Sequence, residues 1–165
     1  MRLETLHALY LKELRDLYHA ENQIIKALPK MIDSTNSPEL RKALSTHLDE
    51  TRNHVTRLEQ VFRLHNEEPK TETCKGMEGI ISEGKNMLSH DENPDVLDAG
   101  IIAGAQKVEH YEIASYGSVR TWAEQMGHTQ AAQLLQETLD EEKQADAKLT
   151  QIAKTLNAEA VRRAG

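Results

Sequence analysis

The chain has a single cysteine, Cys74, among 165 residues. No internal disulfide can brace the fold, so stability must come from a packed core. A lone thiol fits a reducing compartment, and the expected location is the cytoplasm. No apolar run approaches the roughly 18 residues of a membrane span. The segment Met1 to Leu9 carries Arg2 and Glu4 and lacks the apolar stretch of a secretory signal. Basic charge is also in short supply. The net charge is −7, which argues against nucleic acid as a partner. Apolar residues make up 38% and charged residues 28%, a balance suited to long helices with solvated outer faces. The length suits one domain spanning 1–165.

Four segments carry helical stripes. The first reads Leu3, His7, Tyr10, Leu14, Leu17, Glu21, Ile24, Leu28, Met31. The second reads Leu40, Leu44, His47, Thr51, His54, Leu58, Val61, with Glu50 on the same face. The third reads Ile101, Ala105, Val108, Glu112, Ser115, Val119, Trp122, Met126, and the fourth Leu135, Thr138, Glu142, Ala145, Leu149, Ile152. Their 4-3 spacing predicts inward-facing helices. Predicted bounds are Leu3 to Ile32, Pro38 to His65, Pro94 to Gln125 and Thr129 to Leu156. Pro29 should kink the first helix or open its last turn. Ser37 before Pro38, and Asp91 to Pro94, read as start signals. Gly127 reads as a stop, Thr129 as a cap, and Asn157 to Gly165 as a frayed tail. The stretch from Cys74 to Leu88 predicts a short helix weakened by Gly76, Gly79 and Gly84, which implies close packing or mobility. Short links within two pairs and roughly 30 residues between them predict an all-α, ferritin-like four-helix bundle. Two antiparallel hairpins would be joined by a long crossover holding the short helix.

Each stripe carries a carboxylate where an apolar residue belongs. One unpaired buried acid costs several kcal/mol, and several together also repel. A bound dication, or a pair of them, relieves both effects. The candidate ligands are Glu21, Glu50, His54, Glu109, Glu112, Glu142 and Asp146. Glu50 and His54 are spaced i, i+4 on one face, with His47 a turn earlier. In the last helix Glu142 lies on the stripe with Asp146 behind it. An internal repeat, His47-Leu-Asp-Glu-Thr against Thr138-Leu-Asp-Glu-Glu, instead sets Glu141 opposite Glu50. A second pairing sets Tyr18-His-Ala-Glu against Glu109-His-Tyr-Glu. The bland alternative is a set of buried acids paired with Arg15, Lys26, Lys107 or Arg120. Tyr18, Tyr111 and Tyr116 stand near the ligands in sequence and would orient a carboxylate or simply pack. Phe62 and Trp122 read as core or interface packing, and Cys74 as a small packed hydrophobe.

Several stretches resemble the YciF-type stress-response proteins of bacteria. They include Tyr18-His-Ala-Glu-Asn-Gln, Cys74-Lys-Gly-Met-Glu-Gly and Ala105-Gln-Lys-Val-Glu-His-Tyr-Glu-Ile-Ala-Ser-Tyr-Gly. The two repeat motifs around His47 and Thr138 belong to the same resemblance. It covers nearly the whole chain and implies a ferritin-like fold, a dimer and a cytoplasmic stress role. Glu-x-x-His, common in ferritin-like proteins, is absent from the second and fourth long helices: Asn53 follows Glu50 and Gln144 follows Glu141. The fourth has no histidine at all. Such a carboxylate-rich site favours Fe(II) or Mn(II), in a dinuclear centre, over Cu or Zn. The expected function is a dimetal-carboxylate protein, an oxidoreductase reacting with O2 or H2O2. Metal sequestration without turnover and a purely structural helical dimer are the alternatives. A storage cage would need a further C-terminal helix and channels, which the sequence lacks. Leu6, Leu9, Ile25, Val55 and Phe62 fall off the inward stripes, which points to a twofold homodimer.

Overall fold

The computed structural model describes residues 4–89 and 93–163. These residues are all-helical, with α1 Leu6–Ser34, α2 Pro38–Leu64, α3 Lys75–Met87, α4 Pro94–Gln125 and α5 Thr129–Arg163. Leu3 and Asp91 lie outside the described residues. No helix among those described is long and apolar enough to cross a membrane.

Local chemistry sets the helix ends. The Thr5 hydroxyl accepts from Ala8 N at 3.0 Å, so α1 starts after Thr5. Ser37 and Asn93 cap α2 and α4, each followed by a proline whose missing N–H costs nothing at the first position. Cys74 caps α3, its sulfur accepting from Met77 N at 3.4 Å. The α1 helix runs on through Pro29 to Ser34. Gly127 takes φ +77° and ends α4. Two expected ends differ. His128 O accepts from Ala132 N at 2.9 Å, so Thr129 is already helical instead of capping. The tail expected to fray stays helical through Arg163, because Ile152 and Leu156 still bury themselves in the core.

Side-chain links fix the packing. Tyr10, near the start of α1, meets His65, just past the end of α2, at 3.0 Å, so the two helices run antiparallel. Gln106 of α4 reaches Asp146 and Thr150 of α5 at 3.0 and 2.9 Å. His54 and Arg57 of α2 meet Glu141 of α5, and Tyr116 of α4 meets Glu21 of α1. Each of the four long helices thus packs on two others. Asp98 closes one end: both its carboxylate oxygens accept backbone N–H groups, from Asn36 at 2.9 Å and Ser37 at 2.7 Å. The connection from α2 to α4 travels the length of the assembly and carries α3, which lies on α1 and α4. Tyr111 anchors it, with its hydroxyl donating to Asp16 Oδ2 at 3.0 Å and standing 3.0 Å from Cys74 Sγ. A Cβ on Gly76 would lie 2.6 Å from the Tyr111 ring, so close packing explains that glycine.

The apolar core falls into two clusters. One gathers Tyr10, Leu14, Leu58, Phe62, Val119 and Leu135. The other gathers Ile24, Leu28, Leu44, Ile101, Ala105 and Ile152. Phe62 is fully buried and therefore belongs to the core, not to an outer face. Burying a side chain of this kind contributes about 1.5–3 kcal/mol. Between the two clusters every long helix places polar residues.

Candidate metal centre

The polar layer follows from helical spacing. Glu21 stands between Leu17 and Ile24 on α1. His47, Thr51 and His54 occupy successive turns of α2 between Leu44 and Leu58. Glu109, Glu112 and Tyr116 do the same on α4, and Glu142 sits between Leu135 and Leu149 on α5. Glu21, His54, Glu112 and Glu142 have no exposed surface, Glu109 has 2% and His47 6%.

Two groups of ligand atoms converge. His47, Glu109, Glu112 and Glu142 each offer an atom within 4.8 Å of the others. Glu21, His54 and Glu142 do likewise. Glu142 belongs to both. His54 Nδ1 lies 2.9 Å from Glu142 Oε1 and 3.4 Å from Glu21 Oε1, and His47 Nε2 lies 3.2 Å from Glu109 Oε1. These contacts lack hydrogen-bond alignment. Both oxygens of Glu112 and Glu142, one each of Glu21 and Glu109, both His47 nitrogens and His54 Nδ1 are left without a hydrogen-bond partner. Buried polar atoms are ordinarily paired, so this concentration needs an explanation. A cation at each convergence would satisfy them.

Charge gives the same answer. Four ionised carboxylates against two imidazoles would fall two charges short of neutrality even with both imidazoles protonated, so without cations some of the acids must keep their protons. The basic residues named as alternative partners are engaged elsewhere: Arg15 with Glu67 at 2.9 Å, Lys107 with Glu83 at 2.7 Å, Arg120 with Glu124 at 2.9 Å. Lys26 is exposed. Burial, reinforced by the neighbouring acids, holds Glu109 and Glu112 well above the usual carboxylate range. Burial also works on Glu142, but its contact with His54 outweighs this and keeps it low. Burial opposes charge on His54 too, yet Glu21 and Glu142 hold its pKa up to about 11.

A further layer orients the cluster. His54 Nε2 meets Glu141 Oε2 at 2.8 Å, and Arg57 clamps both oxygens of Glu141 at 2.7 Å. That arrangement turns Nδ1 toward the cluster, the usual backing for a metal-bound imidazole. Tyr116 donates to Glu21 Oε1 at 2.5 Å. Tyr111 serves α3, and Tyr18 donates to Glu59 at 3.1 Å. Of the three tyrosines only Tyr116 touches the cluster.

The structure therefore brings together five of the seven candidates: Glu21, His54, Glu109, Glu112 and Glu142. Glu50 and Asp146 lie at the edge. Glu50 is 35% exposed with Oε2 3.7 Å from His47 Nδ1. Asp146 is 21% exposed and bonded to Gln106, with His110 at 3.3 Å. The reason is angular: four residues of helix overshoot one turn by about 40°, which carries Glu50 and Asp146 off the inward line. His47 replaces them. Its signal was its place on the Leu44–Thr51–His54–Leu58 stripe. A cavity of about 480 Å³, lined by Glu50, Thr46, Gln144 and Glu39, reaches His47 and Glu109 from outside.

An all-helical protein with a buried, carboxylate-rich cluster able to hold metal ions is the class that fold and site define. The profile of a domain of unknown function, DUF892, matches residues 5–162. The chain belongs to that family. It is 44% identical to Protein YciF of Escherichia coli (strain K12) over 154 residues, covering 93% of each chain. The crystal structure of the E. coli stress protein YciF superimposes with a TM-score of 0.91 at 43% identity, covering 94% of this chain and 98% of that one. YcfI, a candidate structural protein from Rhodopseudomonas palustris, gives 0.88 at 43% identity, covering 90% and 94%. A protein from Xanthomonas campestris pv. campestris shares the fold at 20% identity, with a TM-score of 0.78 over 96% of this chain and 98% of that one.

Proposed function

We propose that the chain is a ferritin-like four-helix bundle that holds a dinuclear Fe or Mn centre and reacts with dioxygen or hydrogen peroxide in a bacterial stress response. The observation that carries this reading is Glu142, common to two groups of converging, unpartnered ligand atoms. One ion would be held by His47, Glu109 and Glu112, the other by Glu21 and His54, with Glu142 within reach of both groups. Four carboxylates, two imidazoles and no thiolate suit Fe(II) or Mn(II). When bound, such a pair supplies the electrons and positive charge that reduction of a small oxidant needs.

The chain's own residues set the conditions for that chemistry. Arg57 and Glu141 hold the His54 ring so that Nδ1 faces inward. The Tyr116 hydroxyl donates to Glu21 Oε1 at 2.5 Å and so fixes the orientation of that carboxylate. The apolar clusters above and below keep solvent off Glu21, His54, Glu112 and Glu142, which have no exposed surface, and this strengthens the charge interactions among them. Glu109 and Glu112 keep protons when no metal is present and must release them on loading, so loading strengthens as pH rises.

The second reading is a structural helical protein whose acids are held by His47 and His54 alone. The His54 contacts to Glu21, Glu141 and Glu142, and the likeness to YcfI, favour it. Metal analysis of protein purified without chelator separates the two. The metal reading expects about two equivalents of Fe or Mn per chain, and consumption of hydrogen peroxide by the loaded protein. A metal-free chain whose melting temperature does not respond to added Mn(II) or Fe(II) would leave the structural reading standing.

A further inference from the structure

A second cavity, of about 110 Å³, lies between α1, α3 and α4. Its walls are apolar and include Ile24, Leu28, Met31, Ile80, Leu88 and Val108. His47 and Glu109, both buried, line it too and form its floor, so it ends on the candidate centre. Lys26, Lys30 and Lys85 line it as well, and all three are exposed, so they stand where it meets solvent. Among the described residues none of the three lysines has an ion-pair partner, in a chain with 27 acidic residues and a net charge of −7.

Two helical glycines line this space without being crowded by it. Gly84 and Gly104 also line the cavity, each within a helix. Glycine is the weakest helix former after proline, so each weakens its helix relative to alanine. Close packing does not explain either one, because a Cβ at either position would meet nothing within 4 Å. Gly76 on the same helix contrasts with them, as its Cβ would strike Tyr111. A side chain at 84 or 104 would instead grow into the cavity.

We infer that this cavity is a ligand site for a small apolar molecule carrying a carboxylate, the apolar part in the cavity and the acid on the lysines at its mouth. A dry apolar cavity of about 150 Å³ accepts benzene; this one, at about 110 Å³ and open to solvent, suits a short branched chain or a single ring inserted part-way. The lysines select the charge, as cations at a rim do for an oppositely charged ligand. The assignment of this molecule as a substrate rests on the metal reading, because the floor of the cavity is His47 and Glu109. Binding itself does not rest on it. The polar cavity beside Glu50 reaches the same two residues, His47 and Glu109, from the side of α2 and α5.

The test is titration of the metal-stripped, full-length chain with benzoate and, in parallel, benzene, followed by calorimetry or ligand-observed NMR. Benzoate should bind more tightly than benzene. Gly104→Leu should weaken both by ~10-fold or more, a loss of about 1.4 kcal/mol, while folding at least as well as wild type. Gly79→Leu, on α3 but outside the cavity, should bind benzoate as wild type does. The triple change Lys26→Gln, Lys30→Gln, Lys85→Gln should bring benzoate down to the benzene level and leave benzene unchanged. Equal binding of the two ligands by wild type, no binding of either, or benzoate binding that survives Gly104→Leu overturns the proposal. Metal loading of Gly104→Leu is measured alongside. A chain that loads metal and ignores benzoate sinks the ligand site alone, whereas one that binds benzoate and never loads metal sinks the metal reading alone.

Discussion

Replacing Glu112 by leucine should make the metal-free protein more stable. The side chain is fully buried, neither carboxylate oxygen has a hydrogen-bond partner, and Glu21, Glu109 and Glu142 are its neighbours. Nothing favourable is lost with it, and leucine suits the apolar residues a turn away on either side. Exchange of a buried carboxyl group that has no hydrogen-bond partner for a packed apolar side chain gains about 1–3 kcal/mol. For a chain of this length 1 kcal/mol moves the melting temperature by about 2–4 °C, so a gain near 2 kcal/mol gives about 4–8 °C. Glu21→Leu should behave differently. It strands the Tyr116 hydroxyl, which is fully buried and bonded to Glu21 Oε1. An abandoned buried hydroxyl costs about 1–3 kcal/mol and cancels most of the gain. Adding Tyr116→Phe to Glu21→Leu should recover the hydroxyl's share but not the loss of the carboxylate that, with Glu142, holds the charge on His54. Urea denaturation in the presence of chelator gives both signs. Both glutamate variants should also lose the Mn(II)-induced rise in melting temperature. If Glu112 were instead half of a buried ion pair, its removal would cost about 3–5 kcal/mol. A destabilised Glu112→Leu protein, or one that still responds to Mn(II), would refute the reasoning.

Four further outcomes are expected. A hundredfold excess of Mn(II) over its dissociation constant should stabilise the chain by about 2.7 kcal/mol, and chelation should reverse the rise in melting temperature. The metal-free protein should melt lower as pH rises from 5 to 9: Glu109 and Glu112 keep protons that the unfolded chain gives up near 4.5, and the His54 contribution, complete below 6.5, is lost between 6.5 and about 11. A melting temperature that climbs over that range in chelator contradicts the assignment. Asp98→Ala should cost about 1–3 kcal/mol by unpairing the Asn36 and Ser37 N–H groups, with Asp98→Asn costing less; urea midpoints check this. The chain should sediment as a twofold dimer at micromolar concentration, joining faces that carry Leu6, Leu9, Ile25 and Val55, and a monomeric mass removes that idea.

The helices and the acidic layer were legible because both rest on one rule, the 4-3 return of an inward face. That rule placed Glu21, Glu112 and Glu142 correctly in the buried layer, along with every residue from Leu40 to Val61 on the α2 stripe. It was less reliable by one position on α4. There the stripe through Val108, Ser115 and Trp122 proved half-buried, and the line through Ile102, Glu109, Tyr116 and Ala123 lies deepest. The two lines are adjacent and both contain Ala105, Glu112 and Val119, so hydrophobicity alone does not choose between them. Contact with a neighbouring helix does, through Tyr116 on Glu21 and Glu109 beside His47. The repeat was informative in a way its first reading missed. It aligns Glu50 with Glu141 and Thr51 with Glu142. Both members of the first pair sit at the rim, about a third exposed, and both members of the second face inward. Spacing i, i+4 seemed to join Glu50 to His54, yet the 40° offset assigns the outer residue to support and the inner one to the cluster. Glu141 backs His54 while Glu142 lies at the centre because consecutive residues of a helix are turned about 100° apart. What the sequence could not carry was the pair of helical glycines at 84 and 104. A glycine that accommodates a neighbour and a glycine that borders open space look alike in one dimension. They separate only when a Cβ is placed on each and one meets Tyr111 while the others meet open space.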